Sequence, residues 1–80
     1  MTIDELKARL VSAGVSSEEY SLTGGLPNEA YCIEQLPDGT WRTYYSERGQ
    51  RSGLKVFKTE KAACEDFFNE INSDILDRRE

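Results

Sequence analysis

One stretch of the sequence, residues 41–57 (WRTYYSERGQRSGLKVF), constrains the fold more than any other part of the chain. It contains the only tryptophan, two adjacent tyrosines and four of the ten basic residues. Two runs rich in aromatic and apolar residues flank a polar loop with glycine, which is the pattern of two β-strands joined by a loop. We therefore expect the middle of a small β-sheet here, with strands at residues 41–47 and 54–57 and a loop at residues 47–53.

A second turn signal precedes this stretch. Pro37 fixes its own φ and Gly39 readily adopts the left-handed conformation, so the Pro-Asp-Gly triplet predicts a bulged hairpin turn. The turn joins a strand at residues 29–36 to the strand at residues 41–47. Both strands are rich in β-branched, aromatic and other apolar residues, as strands of a half-buried sheet are.

The register of this hairpin depends on how the turn closes. If Leu36 and Thr40 close it, Glu34 lies opposite Arg42, and the two charges attract each other across the strands. The side chains expected on the core face are then Tyr31, Ile33, Trp41, Thr43 and Tyr45, joined by Leu54 and Val56 from the third strand. Because side chains alternate between faces, a shift of one residue would reverse this assignment.

Two amphipathic helices flank the strands in the sequence. Thr2 and Glu5 have the spacing of a capping box, and apolar residues follow at helical spacing, so we predict a first helix over residues 3–13. Thr59 is a suitable N-cap for a second helix over residues 60–72, or as far as residue 76. Its apolar stripe comprises Cys64, Phe67, Phe68, Ile71 and Ile75, and its opposite face carries Glu65, Asp66, Glu70 and Asp74. The tail at residues 77–80 is expected to fray.

These elements predict a single domain, residues 1–80, of the α+β class. The expected architecture is a small antiparallel sheet of three to four strands with two helices packed on one face. The order along the chain is helix, strand, strand, strand, helix. A fourth, short strand is expected near residues 20–22, and residues 23–28 are expected to form a turn.

The amino-acid composition excludes most of the common types of catalytic site. The chain has no histidine, which excludes Ser-His-Asp and Cys-His arrangements and most zinc sites. The two cysteines, Cys32 and Cys64, are expected to be reduced and buried, with Cys64 a packing residue beside the aromatic stripe. The adjacent carboxylates of residues 18–19 and 65–66 are expected to be solvated. We therefore predict no catalytic, cofactor-binding or metal-binding residues, and a protein that is not an enzyme.

The distribution of charge narrows the choice of partners. The net charge of the chain is −5, although residues 42–58 carry five basic residues and one acidic residue. An acidic total argues against nucleic-acid binding, which needs a broad basic surface. The sequence shows neither a long apolar run nor a basic segment followed by an apolar one, so no membrane span and no signal peptide are expected. We expect a cytoplasmic protein.

The tyrosine pair is the most individual feature of the chain. Alternation sends Tyr44 and Tyr45 to opposite faces of the strand, and we expect Tyr44 at the surface beside Arg48 and Arg51. Tyrosine and arginine are over-represented among the residues that dominate binding energy at protein interfaces. A binding patch and an ordinary strand end followed by a hairpin loop both remain open.

A group of residues around this pair resembles a known family. They are Tyr20-Ser21-Leu22, Gly24-Gly25-Leu26-Pro27-Asn28-Glu29, Tyr31-Cys32, Trp41, Tyr44-Tyr45-Ser46-Glu47-Arg48-Gly49, Leu54, Phe57, Glu60, Ala63-Cys64 and Phe67. Their succession, over residues 3–71, resembles small bacterial immunity proteins encoded beside polymorphic toxins, including those of contact-dependent growth inhibition.

The resemblance implies a non-enzymatic protein that binds the C-terminal domain of a cognate toxin and neutralises it. Many such toxins are nucleases with basic substrate clefts, which an acidic immunity protein can occupy or block from an adjacent site. Charge complementarity and the tyrosine–arginine cluster suggest an interface on the outer face of the second helix and on the strand and loop after the tyrosines. The predicted partner-binding residues are Tyr44, Glu47, Arg48, Arg51, Asp66, Glu70 and Asp74.

Other functions fit the same sequence. A regulatory or adaptor module of an unrelated pathway would have the same size and charge. A small enzyme that uses carboxylates or Cys64 is a second alternative, and a nucleic-acid binder that uses the basic loop is a third. The oligomeric state is also open, because an exposed strand edge permits self-association.

Overall fold

The computed structural model describes residues 1–76 of the 80-residue chain. The elements in chain order are α1 (Ile3–Ser12), a 3₁₀ turn (Ser17–Glu19), β1 (Tyr20–Ser21), β2 (Ala30–Gln35), β3 (Trp41–Glu47), β4 (Gln50–Phe57), α2 (Glu60–Ile71) and a π-helical turn (Asn72–Leu76). The predicted α+β class and the predicted order of the elements are confirmed. The predicted frayed tail at residues 77–80 and the predicted inward side chain of Ile75 lie outside what the structure describes.

The four strands form one sheet in the order β1-β2-β3-β4. β2, β3 and β4 are antiparallel neighbours, and Glu34 lies opposite Arg42, as the turn chemistry predicts. The expectation of an entirely antiparallel sheet is wrong, because β1 pairs in parallel with β2. The connection at residues 22–29 explains this pairing, since it carries the chain back to the start of β2 instead of reversing it in a tight turn.

Both helices begin with the caps that the sequence predicts. The Thr2 hydroxyl accepts the Glu5 amide N–H at 3.2 Å, and the Glu5 carboxylate accepts the Thr2 amide N–H at 3.1 Å, which completes the capping box. The Thr59 hydroxyl accepts the Ala62 amide N–H at 3.1 Å at the start of α2. These bonds satisfy amide groups that have no partner inside the helix, and so they fix where each helix starts.

The core lies between the helices and one face of the sheet, which we call the helix side. α2 lies across β2, β3 and β4, and α1 packs beside α2. The buried cluster comprises Leu6, Leu10, Val15, Ile33, Ala63, Cys64, Phe67 and Ile71, with Tyr31, Trp41 and Phe57 packed against it from the sheet. Full burial of each large apolar side chain contributes about 1.5–3 kcal/mol. The predicted core face is therefore confirmed for Ile33, Tyr31 and Trp41.

The opposite face of the sheet, which we call the far side, is covered over β2 and β3. Its buried side chains are Ala30, Cys32, Tyr44 and Ser46. The connection at residues 22–29 crosses this face, and the Tyr44 hydroxyl donates a hydrogen bond to the Gly25 carbonyl at 2.7 Å. The predicted exposure of Tyr44 is therefore wrong, because its side chain is only 3% exposed beneath that connection.

The turn between β3 and β4 is shorter than predicted. Arg48 and Gly49 form a two-residue turn with φ values of 52° and 75°, the positive values that a type I′ hairpin turn requires. Gln50 pairs with Glu47 directly after it, so Gln50–Gly53 belongs to β4 and the predicted loop at residues 47–53 is wrong. The two-residue turn fits the right-handed twist of the paired strands.

A β-bulge changes which side chains of β4 face the helices. Ser52 pairs with Tyr45 and Lys55 pairs with Thr43, so one extra residue is accommodated in β4, where Gly53 has a φ of 63°. Beyond this point Lys55 faces the helix side. The predicted inward orientation of Leu54 and Val56 is wrong, and their side chains are 47% and 58% exposed.

The two helices are also linked where they begin. The Glu60 carboxylate accepts the Ile3 amide N–H at 2.9 Å, so the first turn of α2 caps an amide of the first turn of α1. A negative charge at this position also interacts favourably with the positive ends of both helix dipoles.

We predict that Glu60→Ala lowers the free energy of unfolding by about 1–2 kcal/mol, because it leaves the Ile3 amide without its charged acceptor. Urea denaturation followed by circular dichroism measures this change. Glu60→Gln is the matched control and should lose less, since its amide oxygen can still accept the bond. Equal stability of Glu60→Ala and the wild type would contradict the proposed link.

We also predict that Arg48→Asn raises the free energy of unfolding by about 1 kcal/mol. Asparagine adopts the left-handed conformation at a smaller cost than arginine does, and Asn-Gly is a preferred type I′ turn. Thermal denaturation should show a higher midpoint for Arg48→Asn and an unchanged midpoint for Arg48→Lys. A lower midpoint for Arg48→Asn would mean that the Arg48 side chain stabilises the fold through contacts of its own.

Candidate functional site

The predicted partner-binding residues lie in three separate places. The carboxylates Asp66, Glu70 and Asp74 lie along one side of α2 and its π-helical turn, beside the sheet. Tyr44 and Arg51 lie on the far side of the sheet. Glu47 and Arg48 lie at the β3–β4 turn. The sheet thus separates the acidic residues from Tyr44 and Arg51, and the seven residues do not form one surface.

We call the row of carboxylates on α2 and its π-helical turn (Asp66, Glu70 and Asp74) the acidic edge, and two of them, Asp66 and Glu70, face β4. The Lys55 ammonium lies 2.7 Å from Asp66 Oδ2 and 2.9 Å from Glu70 Oε1. Hydrogen bonds to Asp66 and Glu70 raise the pKa of Lys55. The sequence placed these carboxylates on the outward face of the helix. In the structure, Asp66 and Glu70 instead contact the sheet, because the bulge turns Lys55 toward α2.

The third carboxylate of the acidic edge contacts the sheet through a tyrosine. The Tyr31 hydroxyl donates a hydrogen bond to Asp74 Oδ2 at 2.6 Å. Burial, followed by this hydrogen bond, raises the pKa of Tyr31, so the hydroxyl remains protonated at neutral pH. The Tyr31 ring meets the Tyr45 ring edge-on, with the ring centroids 4.9 Å apart and the planes at 64°.

These groups enclose a cleft of about 360 Å³ between the end of α2 and the sheet, which we call the tyrosine cleft. It is lined by Tyr31, Tyr45, Ser52, Gly53, Glu70 and Asp74. The sequence predicted the two carboxylates as binding residues, but it assigned both tyrosines to the core. Tyr31 and Tyr45 do lie on the helix side of the sheet, but both are only half-buried, so they also line the cleft. The predicted register, in which Glu34 lies opposite Arg42, also places Tyr31 directly opposite Tyr45, and this was the signal in the sequence for a shared wall.

The far side presents a basic and apolar surface. The Tyr44 ring lies between two guanidinium groups, with the Arg42 and Arg51 Cζ atoms 5.5 Å and 5.1 Å from its centroid. Arg42 also forms an ion pair with Glu34. The connection presses closely on this pair, because a Cβ atom at Gly24 would lie 3.0 Å from the Glu34 Cβ. Tyr44 therefore holds the connection in place, and it is not the exposed anchor that the sequence predicted.

The two cysteines lie on opposite sides of the sheet. Both are free and fully buried, as predicted, with Cys64 in the helix-side core and Cys32 on the far side. Burial raises the pKa of Cys64 to about 11 and also raises the pKa of Cys32. A thiol with a raised pKa carries little thiolate at neutral pH, and the thiolate is the nucleophile.

We predict that neither thiol of the native protein reacts appreciably with iodoacetamide near neutral pH in the time that the urea-unfolded protein needs to react completely. Mass spectrometry of the alkylated protein counts the modified thiols, and the Cys32→Ala variant isolates Cys64. Rapid alkylation of native Cys64 would contradict its role as a packing residue and would favour an enzyme that uses this thiol.

Comparison of the chain with protein-family models, with curated proteins and with solved structures gives no match. Within residues 1–76, no three cysteine, aspartate or glutamate side chains are grouped as a metal site would require. In the same part of the chain, no helix has both the length and the apolar character needed to cross a membrane. The geometry and charge of the acidic edge and the tyrosine cleft are therefore the observations that bear on function.

Proposed function

We propose that the protein is a non-enzymatic immunity protein that binds and neutralises the toxic domain of a cognate bacterial toxin, a nuclease, in the cytoplasm. The observation that carries this proposal is the charge of the acidic edge. Within the described part of the chain, Asp66 and Glu70 share the ammonium group of Lys55, and Asp74 accepts a hydrogen bond from the uncharged Tyr31 hydroxyl. The edge therefore carries two negative charges in excess, and a basic nuclease cleft is complementary to it.

The contacts of the acidic edge favour binding. Lys55 and Tyr31 hold the three carboxylates in place before any partner arrives. A side chain that is already ordered loses less conformational entropy when it enters an interface, so less of the binding energy is spent on ordering it. The Glu70 side chain is 46% exposed, which leaves it accessible to a partner despite its contact with Lys55.

The separation of charge across the sheet supports one direction of approach. Arg42 and Arg51 stack on Tyr44 on the far side, away from the acidic edge. Because Glu34 pairs with Arg42, the far side has no excess of negative charge at these residues, and a basic partner is attracted to the acidic edge instead, which orients the encounter. This arrangement accounts for an acidic protein that has a basic middle segment, and it supports occupation of the nuclease cleft by the acidic edge.

The identity of the partner is tested by affinity purification of the tagged protein from its own bacterium, with mass spectrometry of what copurifies. We expect the C-terminal domain of a large toxin, released only by high salt or denaturant because the contact is electrostatic. Recovery of a housekeeping protein would instead favour the adaptor function.

The role of the acidic edge is tested with the recovered toxin domain. We predict that the triple variant Asp66→Asn, Glu70→Gln, Asp74→Asn binds at least about tenfold more slowly at low salt, since charged groups steer association. The matched control is Glu18→Gln, Glu19→Gln, Glu65→Gln, which changes the net charge by the same amount away from the edge. Stopped-flow mixing measures both rates, and equal rates for the two variants would remove the acidic edge from the interface.

A further inference from the structure

We infer that the tyrosine cleft (Tyr31, Tyr45, Ser52, Gly53, Glu70 and Asp74) is a receptor for one arginine side chain of the protein partner. The inference deepens the proposed function and rests on it only for the identity of that partner. The cleft has two aromatic walls and two carboxylates at its margin. This combination suits a planar cation, and arginine is the protein side chain that has one.

The aromatic walls favour a cation that can stack. The Tyr31 and Tyr45 rings meet edge to face. The Tyr45 ring is half-buried, and it borders the cleft. Burial raises the pKa of Tyr45, as do the carboxylates of Glu29 and Glu47. The ring therefore stays neutral at physiological pH, and the negative charge of these carboxylates favours a cation over its face.

The carboxylates give the cleft directional acceptors. Glu70 and Asp74 are one helical turn apart, and each is already held by a neighbour, Glu70 by Lys55 and Asp74 by the Tyr31 hydroxyl. A carboxylate has two oxygens and about four lone-pair directions, so a single hydrogen bond does not saturate it. A guanidinium carries five donors in a fixed fork and can bond to both groups at once.

Lys55 shows how the same row of carboxylates receives a cation. Its ammonium bridges Asp66 and Glu70, which are four residues apart on α2. Glu70 and Asp74 repeat this spacing one turn further along, and there the sheet offers Tyr45 and Ser52 instead of a lysine. An arginine of the partner would therefore supply the cation that the chain itself supplies at the preceding turn.

The inference is tested without the toxin. The ¹⁵N-labelled protein is titrated with N-acetyl-arginine-methylamide, and the amide shifts are followed by NMR. We expect saturable binding in the millimolar range, with shifts confined to Tyr45, Ser52, Gly53 and Glu70. The lysine analogue should bind more weakly and the norleucine analogue should not bind, because only the arginine probe combines charge with a planar fork.

Variants separate the parts of the cleft. Glu70→Gln with Asp74→Asn should weaken binding of the arginine probe at least about tenfold, because both groups lose charge but keep their shape. Tyr45→Leu should weaken it about two- to fivefold, the loss of one exposed cation–π contact. Glu65→Gln, on another side of α2, is the matched control and should not change binding. Circular dichroism confirms that each variant is folded.

Several results would overturn the inference: no saturable shifts, shifts spread over carboxylates elsewhere on the surface, equal binding of the lysine probe, or unchanged binding by the Glu70–Asp74 double variant. Each of these results leaves the proposed function standing if the toxin domain is recovered. Conversely, saturable arginine binding in the cleft without a recovered toxin would support the receptor and remove the immunity function.

Discussion

The packing of α2 across the sheet is the contact on which the rest of the structure depends. Cys64, Phe67 and Ile71 form one apolar stripe of the helix, and burial of this stripe fixes the rotation of α2 about its axis. Once that rotation is set, the carboxylates beside the stripe must lie along the border with β4. The placement of Asp66 and Glu70 beside β4 is therefore a consequence of core packing.

The sheet is covered on both faces over β2 and β3, although the chain has helices for only one face. The connection from β1 to β2 supplies the second cover, and the hydrogen bond from Tyr44 to Gly25 fastens it. A small domain gains from this arrangement, because burying far-side residues adds apolar area that two short helices cannot provide. Arg42 and Arg51 lie on the same face of the sheet as Tyr44 because of the strand register, so the sheet separates them from the acidic edge.

Local signals in the sequence were sufficient for the helices and the first hairpin. The capping box at Thr2 and the turn chemistry after Leu36 act over a few residues, and the structure confirms both. The faces of β4 could not be predicted, because Leu54 to Phe57 fits either alternation and the bulge at Gly53 decides between them. The burial of Tyr44 could not be predicted either, since it depends on a connection that is distant in sequence. Long-range contacts of this kind leave no periodic signal.

In the candidate site, too, the local pattern could be predicted from the sequence and the long-range contacts could not. The spacing of Asp66, Glu70 and Asp74 was visible in the sequence as a helical row, but their partners were not. Lys55 contacts Asp66 and Glu70 only because the bulge changes which side chains of β4 face the helices. The bulge shifts the alternation of every β4 side chain beyond it and leaves the pairing of β2 with β3 unchanged. The bulge turns the Lys55 ammonium toward α2, and at the last turn of the row the sheet presents Tyr31 and Tyr45 instead. A single extra residue in β4 thus gives Asp66 and Glu70 an ammonium partner, whereas Asp74 has the uncharged Tyr31 hydroxyl.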